Sequence, residues 1–229
     1  YGENSNRAAF DVVLQAETGF MSMNGQADGP PTKMPIALID VLAAHQLKEG
    51  ILVALIERLK TGKGAYVSAS LIDSAIASLV NQATNWLMGK HIPKPMGTLH
   101  PNIAPYGEMF TTADDKLLVL AIGSDKQFCN FCRVIQQIHL ATDERFITNR
   151  QRLAHRQSLF VLLTPIIKQY NRADLIALLT EQQVPVGAVR NMKEVFELEA
   201  AKQLVLTENI AGVATERVKT AVFTIISNE

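Results

Sequence analysis

Residues 29–79 read GPPTKMPIALIDVLAAHQLKEGILVALIERLKTGKGAYVSASLIDSAIASL, and the architecture turns on how this stretch divides. After Pro35 the apolar run Ile36-Ala37-Leu38-Ile39 closes on Asp40. From Val41 onward apolar residues recur at Leu42, Ile51/Leu52, Leu55/Ile56 and Leu59, the spacing of a helix with one buried face. Arg58 and Lys60 fall in its last turn, where cations suit the negative end of the helix dipole, and Gly62 offers a left-handed cap. Lys63-Gly64 then turns the chain into an apolar stretch that predicts a short strand over 65–70, and a second helix is expected over 71–88, stopped by Gly89. Helix and strand alternating at this spacing predict an α/β fold.

Working outward, residues 1–10 (YGENSNRAAF) read as a loop, the apolar residues 10–23 as a strand or a short helix, and 24–31 (NGQADGPP) as an exposed turn. Pro93, Pro95, Gly97, Pro101 and Pro105 crowd residues 91–105 and forbid a persistent helix, so this segment reads as a linker or lid. Beyond it, residues 106–111 and 116–122 are β-like runs joined by Thr-Ala-Asp-Asp, a hairpin signal. Helices are expected over 126–138, 150–169, 172–183 and 193–201. Residues 184–189 interrupt that pattern, and from Val205 the tail is β-like again.

Composition narrows the function. The 229 residues are 48% hydrophobic and 19% charged, with 22 Lys+Arg against 22 Asp+Glu. That is a globular composition without the basic excess that a phosphate backbone demands, so nucleic acid is not an expected partner. The most apolar stretch, 34–59, carries Asp40, His45, Lys48, Glu49, Glu57 and Arg58, which argues against a membrane span. Two cysteines cannot form a disulfide framework, and a reducing compartment is the simpler inference.

Among chemistry-bearing residues, Cys129 and Cys132 form a C-x-x-C, but the only nearby metal-ligand candidate is His139, so the two thiols read as small packing groups and no metal site is expected. Gly62-Lys63-Gly64 follows a helix C-terminus, the wrong end for a phosphate cradle. The histidines at 45, 91, 100, 139 and 155 show no ligand spacing, and His100 matters because the Pro-rich segment could present it to a ligand. Asp40 ends an apolar run at the start of a long helix, so it is either an N-cap or a functional carboxylate aimed from a helix N-terminus. Backbone N–H groups and the dipole favour its ionised form in both roles.

The 29–79 string resembles the core of the family III CoA-transferases, the group of formyl-CoA and carnitine CoA-transferases that includes α-methylacyl-CoA racemase. The features are the Gly-Pro-Pro loop, the apolar run closed by Asp40, the long helix, the T-G-x-G turn with the strand expected after it, and a helix beginning near Asp73. GTLHPNIAPYGEMFTTADDK (97–116) resembles the family's linker and the start of its small domain, and VPVGAVRNMKEVF (184–196) its late P-x-G-x-V motif. The style is that of members acting on short dicarboxylates.

The resemblance implies an α/β fold in which residues 1–90 are the C-terminal part of a Rossmann-like, CoA-binding large domain and 91–105 a linker or lid. Residues 106–212 would form a smaller α+β domain, and 213–229 a segment returning to the large domain. It implies that Asp40 is the nucleophile, forming mixed anhydrides and an aspartyl-CoA thioester, with an acyl-CoA and a free carboxylic acid as partners and no resident cofactor beyond the CoA thioester substrate. Asp11 is expected to contact CoA, and Lys33, Gly97, His100 and Asn102 the substrate, Lys33 by holding the distal carboxylate of a diacid. A Rossmann-like half before Tyr1 and a further C-terminal end are also expected, as are a homodimer of the complete protein and a cytoplasmic or mitochondrial location. Where the racemase branch carries a His before Asp11, this chain has Phe10, which cannot transfer a proton, so transferase is favoured over racemase. A third reading is an inactive fragment or assembly module.

Overall fold

Residues 10–23, which the sequence leaves open between strand and helix, are helical in the structure, a computed structural model that describes residues 8–226. They form α1 (Asp11–Glu17) and α2 (Phe20–Met23). The loop expected over residues 1–10 lies, up to Arg7, outside the described residues. The long helix α3 spans Leu38–Thr61 and starts three residues earlier than its periodicity predicts. It ends at Gly62, whose φ of 71° and N–H bond to the Arg58 carbonyl (2.8 Å) make the left-handed cap.

No strand forms over 65–70. The segment is extended, but among the described residues of this region no strand offers it a ladder, so its β propensity goes unused. It runs close to α3, where a Cβ on Gly50 would meet the Val67 side chain at 2.8 Å.

The expected helix over 71–88 is two helices, α4 (Leu71–Ala77) and α5 (Val80–Leu87). Ser70 caps α4 by accepting from the Asp73 N–H (3.3 Å). The Ser74 and Ser78 hydroxyls each bond back to the carbonyl four residues earlier (2.7 Å), a competition that weakens a helix where this one breaks. The chain divides after Pro101 into two units, and the core of the first is small: Leu14, Ile39 and Ala75, with Phe20 and Leu42 against them.

The second unit begins at Asn102. The expected hairpin is β1 (Tyr106–Thr111) and β2 (Leu117–Ala121), antiparallel, with Phe110 opposite Leu118 and an irregularity between Tyr106 and Met109. Helix α6 (Asp125–Val134) opens on a capping box made by Ser124 and Gln127. A 3-10 turn, Ile138–Ala141, precedes α7 (Asn149–Ala154) and α8 (Arg156–Ile167). The single helix expected over 150–169 is therefore broken at His155.

Helix α9 (Arg172–Glu181) leads to β3 (Val186–Ala188), which pairs with β2 to complete a β1-β2-β3 sheet from the residues read only as an interruption. The helix expected over 193–201 is split into α10 (Met192–Phe196) and α11 (Glu199–Lys202). The tail forms a hairpin, β4 (Val205–Ile210) with β5 (Val213–Val218), so the boundary expected after residue 212 falls inside its turn. The core of this unit joins the sheet (Phe110, Leu118, Leu120) to α6 (Phe128, Phe131), α8 (Leu159, Leu163) and α9 (Leu175, Leu179), all at most 2% exposed.

Candidate active site

Asp40 is not the N-cap of α3. That position is Ala37, whose side chain cannot cap, and Asp40 is the third helical residue. The cap comes from another helix: Asp11 of α1 accepts the Ile39 N–H on Oδ2 at 2.7 Å. Its other oxygen, Oδ1, accepts from Gln15 Nε2 at 2.5 Å. Gln15 is fully buried, accepts the Met34 N–H on Oε1 at 2.8 Å and reaches the Ile36 carbonyl from Nε2 at 3.4 Å. One polar pair on α1 therefore holds three points of the chain leading into α3.

The consequence for Asp40 is chemical. An orphan donor of the first turn is satisfied by Asp11, so the Asp40 carboxylate is not consumed by capping. It is exposed, sits at the positive end of a 24-residue helix, and among the described residues makes no hydrogen bond. An ionised carboxylate in that position is free to attack an electrophile.

Lys33 is exposed on the approach to α3, its ammonium donating to the Met34 carbonyl at 3.2 Å. Gly97 has a φ of 63°, and its N–H bonds the Gly25 carbonyl at 2.8 Å. That left-handed φ favours glycine, and the bond pins the Pro-rich segment to the 24–31 turn. His100 is half-buried in the same unit. Asn102 belongs to the other unit, where its carbonyl accepts from the Asn149 side chain (2.9 Å). The structure thus brings Asp11 to the turn that carries Asp40, gathers Gly97 against the 24–31 turn, and leaves Asn102 with the second unit.

A face of α7 and α8 that the sequence reading passed over grips residues 102–104. Asn149 also accepts the Ala104 N–H (3.1 Å), fully buried Arg152 donates to the Ala104 and Phe146 carbonyls (2.8 and 2.9 Å) and to Asp125 (2.7 Å), and Arg156 reaches the Ile103 carbonyl and Glu108 (2.7 Å). The signal was the spacing of Asn149, Arg152 and Arg156, three and four residues apart. Gln15 was missed as well. Its only local trace is the i, i+4 spacing from Asp11.

Other candidates resolve simply. Cys132 is buried in the core of the second unit, and burial, helped by neighbouring Cys129, pushes its thiol up to about 12, so it is no nucleophile. Among the described residues no three His, Cys, Asp or Glu side chains are placed to hold a metal ion, and no helix is long and apolar enough to cross a membrane. An apolar cleft of about 320 Å³ between α2, α4 and α5, lined by Met23, Ile76, Leu79, Trp86 and Leu87 among others, includes no titratable side chain.

A carboxylate left unengaged at a helix N-terminus is chemically able to act as a nucleophile. The sequence signature of CoA-transferase family III matches residues 1–225, and the chain belongs to that family. It is 34% identical over 195 residues to the succinate–glutarate CoA-transferase of Agrobacterium fabrum, covering 85% of this chain and 48% of that protein. It is 32% identical to human succinyl-CoA:glutarate CoA-transferase, covering 85% and 44%. A crystal structure of a CaiB/BaiF family protein from Brucella suis superposes with a TM-score of 0.82 at 34% identity, covering 98% of this chain and 58% of that one. The α/β fold is that of this family, and the chain spans about half the length of the curated relatives it matches.

Proposed function

We propose that this chain carries the nucleophile of a CoA-transferase that moves CoA between short dicarboxylic acids, and that the nucleophile is Asp40. The observation that supports it most is the division of labour at α3: Asp11 caps, and Asp40 is left ionisable, exposed and unengaged.

The Asp40 carboxylate attacks the thioester carbonyl of an acyl-CoA, giving a mixed anhydride and CoA thiolate. The thiolate attacks the aspartyl carbonyl, releasing the first acid and leaving an aspartyl-CoA thioester. The incoming carboxylate attacks that thioester to form a second anhydride and free the thiolate again. The thiolate then takes the new acyl group and restores the Asp40 carboxylate. No resident cofactor or metal takes part in the scheme. Each acyl intermediate hydrolyses, so water must be kept out, and Gly97 and His100 of the Pro-rich segment, in the same unit as Asp40, are the residues we assign to the substrate.

The dicarboxylate class rests on the names of the relatives, and Lys33 is the cation we assign to the distal carboxylate. Phe10, at the start of α1 and 77% exposed, leaves racemisation without a proton carrier at that position. A homodimer of the full-length protein goes with the same reading.

The test is the full-length Asp40→Asn protein. Asn keeps the size, and since Asp11 does the capping, folding is expected to survive while kcat falls at least about 10⁴-fold. Incubating the wild type with acyl-CoA and borohydride should mark the peptide containing Asp40. Exchange near the wild-type rate in Asp40→Asn, or a mark elsewhere, would refute the assignment.

A further inference from the structure

We infer that Asp11 and Gln15 are positioning residues for the nucleophile, a two-residue clamp that sets the first turn of α3, and not contacts to CoA. The inference rests on the reading of Asp40 above. Both oxygens of Asp11 are engaged inside the protein, one by the Ile39 N–H and one by Gln15, which favours a positioning role over the CoA contact that the resemblance implied.

The clamp acts on the residue before Asp40. Ala37 supplies no side-chain cap, so without Asp11 the Ile39 N–H would have no acceptor where α3 begins. Gln15 extends the hold backward. It is 0% exposed, and its amide ties Asp11, the Met34 N–H and the Ile36 carbonyl into one network over the chain that delivers Asp40. Ile39 anchors this turn in the core with Leu14 and Ala75, but Ile39 and Ala43 are the only buried residues of α3, so the polar network is what fixes the direction of the helix start. Polar networks of this kind fix geometry, and nucleophilic addition to a carbonyl is sensitive to displacements near 1 Å.

Full-length Asp11→Ala, Asp11→Asn and Asp40→Asn proteins test the clamp together. For Asp11→Ala the expected result is a kcat loss of about 100-fold, with KM for acyl-CoA and acceptor each within about threefold of wild type. Hydrogen exchange at the Ile39 amide should be faster. Asp11→Asn, which keeps one acceptor oxygen for Ile39, should recover at least about tenfold of the lost kcat.

A rise in KM for acyl-CoA with kcat intact would make Asp11 a ligand contact and overturn the clamp. So would an Asn variant no better than Ala. Should Asp11→Ala fail to fold, Asp11→Asn against wild type carries the same kcat-against-KM comparison. Failure of the two ideas can be told apart. Inactive Asp40→Asn beside unimpaired Asp11→Ala defeats the clamp alone, whereas active Asp40→Asn defeats the nucleophile and with it the catalytic purpose of the clamp.

Discussion

Helices α3 and α9 begin alike and are supported differently. Each starts after a residue whose side chain makes no cap, Ala37 or Asn171, and each borrows an aspartate from elsewhere in the chain. Asp11 reaches the Ile39 N–H of α3 across 28 residues, and Asp114, in the β1–β2 turn, reaches the Arg172 N–H of α9 at 3.0 Å across 58. Around α9 the borrowed cap is one fastening among many, since Leu175 and Leu179 are fully buried in a continuous core. Around α3 the cap carries much more of the load. Leu52, Val53 and Ile56 are more than half exposed, Leu59 is 88% exposed, and only Ile39 and Ala43 are buried. Helix α3, which presents Asp40, therefore relies on polar bonds at its start, and α9 of the second unit on apolar burial along its length.

The largest effect expected from that contrast is at Arg152. Its guanidinium is fully buried, lies over the Phe128 ring at 4.5 Å, and satisfies the carbonyls of Ala104 and Phe146. Arg152→Ala leaves those acceptors without a donor and should cost roughly 3–5 kcal/mol in denaturant unfolding. Next is the core itself. Leu163→Ala should cost about 2–5 kcal/mol, because the side chain is fully buried, whereas Leu59→Ala on α3 should stay within about 0.5 kcal/mol. Equal losses at Leu163 and Leu59 would erase the distinction between the two units.

A smaller effect concerns substrate choice in the first unit. Lys33→Met keeps the aliphatic stem and removes the charge, so it should weaken use of a dicarboxylate acceptor by roughly 10- to 100-fold, equivalent to about 1.5–3 kcal/mol, and leave a monocarboxylate unchanged. Equal loss for both acids, or none for either, would remove Lys33 from the site.

What the sequence made legible follows the range of the interactions. Helix α3 was readable because its pattern and its Gly62 stop are local, and Asp40 stood out because a carboxylate closes an apolar run. Its distinction from an N-cap was not readable, since the cap comes from Asp11, 28 residues earlier in the bond it makes. Residues 65–70 form no strand for the same reason, because β propensity is a property of the segment and a strand needs a partner. The β1–β2 hairpin is legible because its nearest pair, Thr111 and Leu117, is six residues apart. Gln15 was invisible, as a buried glutamine in a short amphipathic helix has no signature apart from its neighbours.

The smallest effect concerns the borrowed cap of α9 and is read by acid. The Thr112 hydroxyl, first, and then the Arg172 N–H hold the Asp114 carboxyl down at about 2, below its ordinary 3.8. A carboxyl depressed in the folded state contributes stability that is complete above its unfolded value and is lost as the pH falls through the folded one, so the contribution of Asp114 should fade between about pH 4 and pH 2. The group is solvent-exposed, which keeps the contribution small. Thr112→Val removes the largest cause at nearly constant volume and should move the Asp114 titration, followed by carboxyl NMR, back toward the ordinary range. Asp143 is also held at about 2, but by its own hydrogen bonds to Arg145, and so serves as an internal control that must not move. If Asp114 still titrates near 2 in Thr112→Val, the Arg172 N–H at the start of α9 is its main support, and the two helices are held by their borrowed aspartates in the same way.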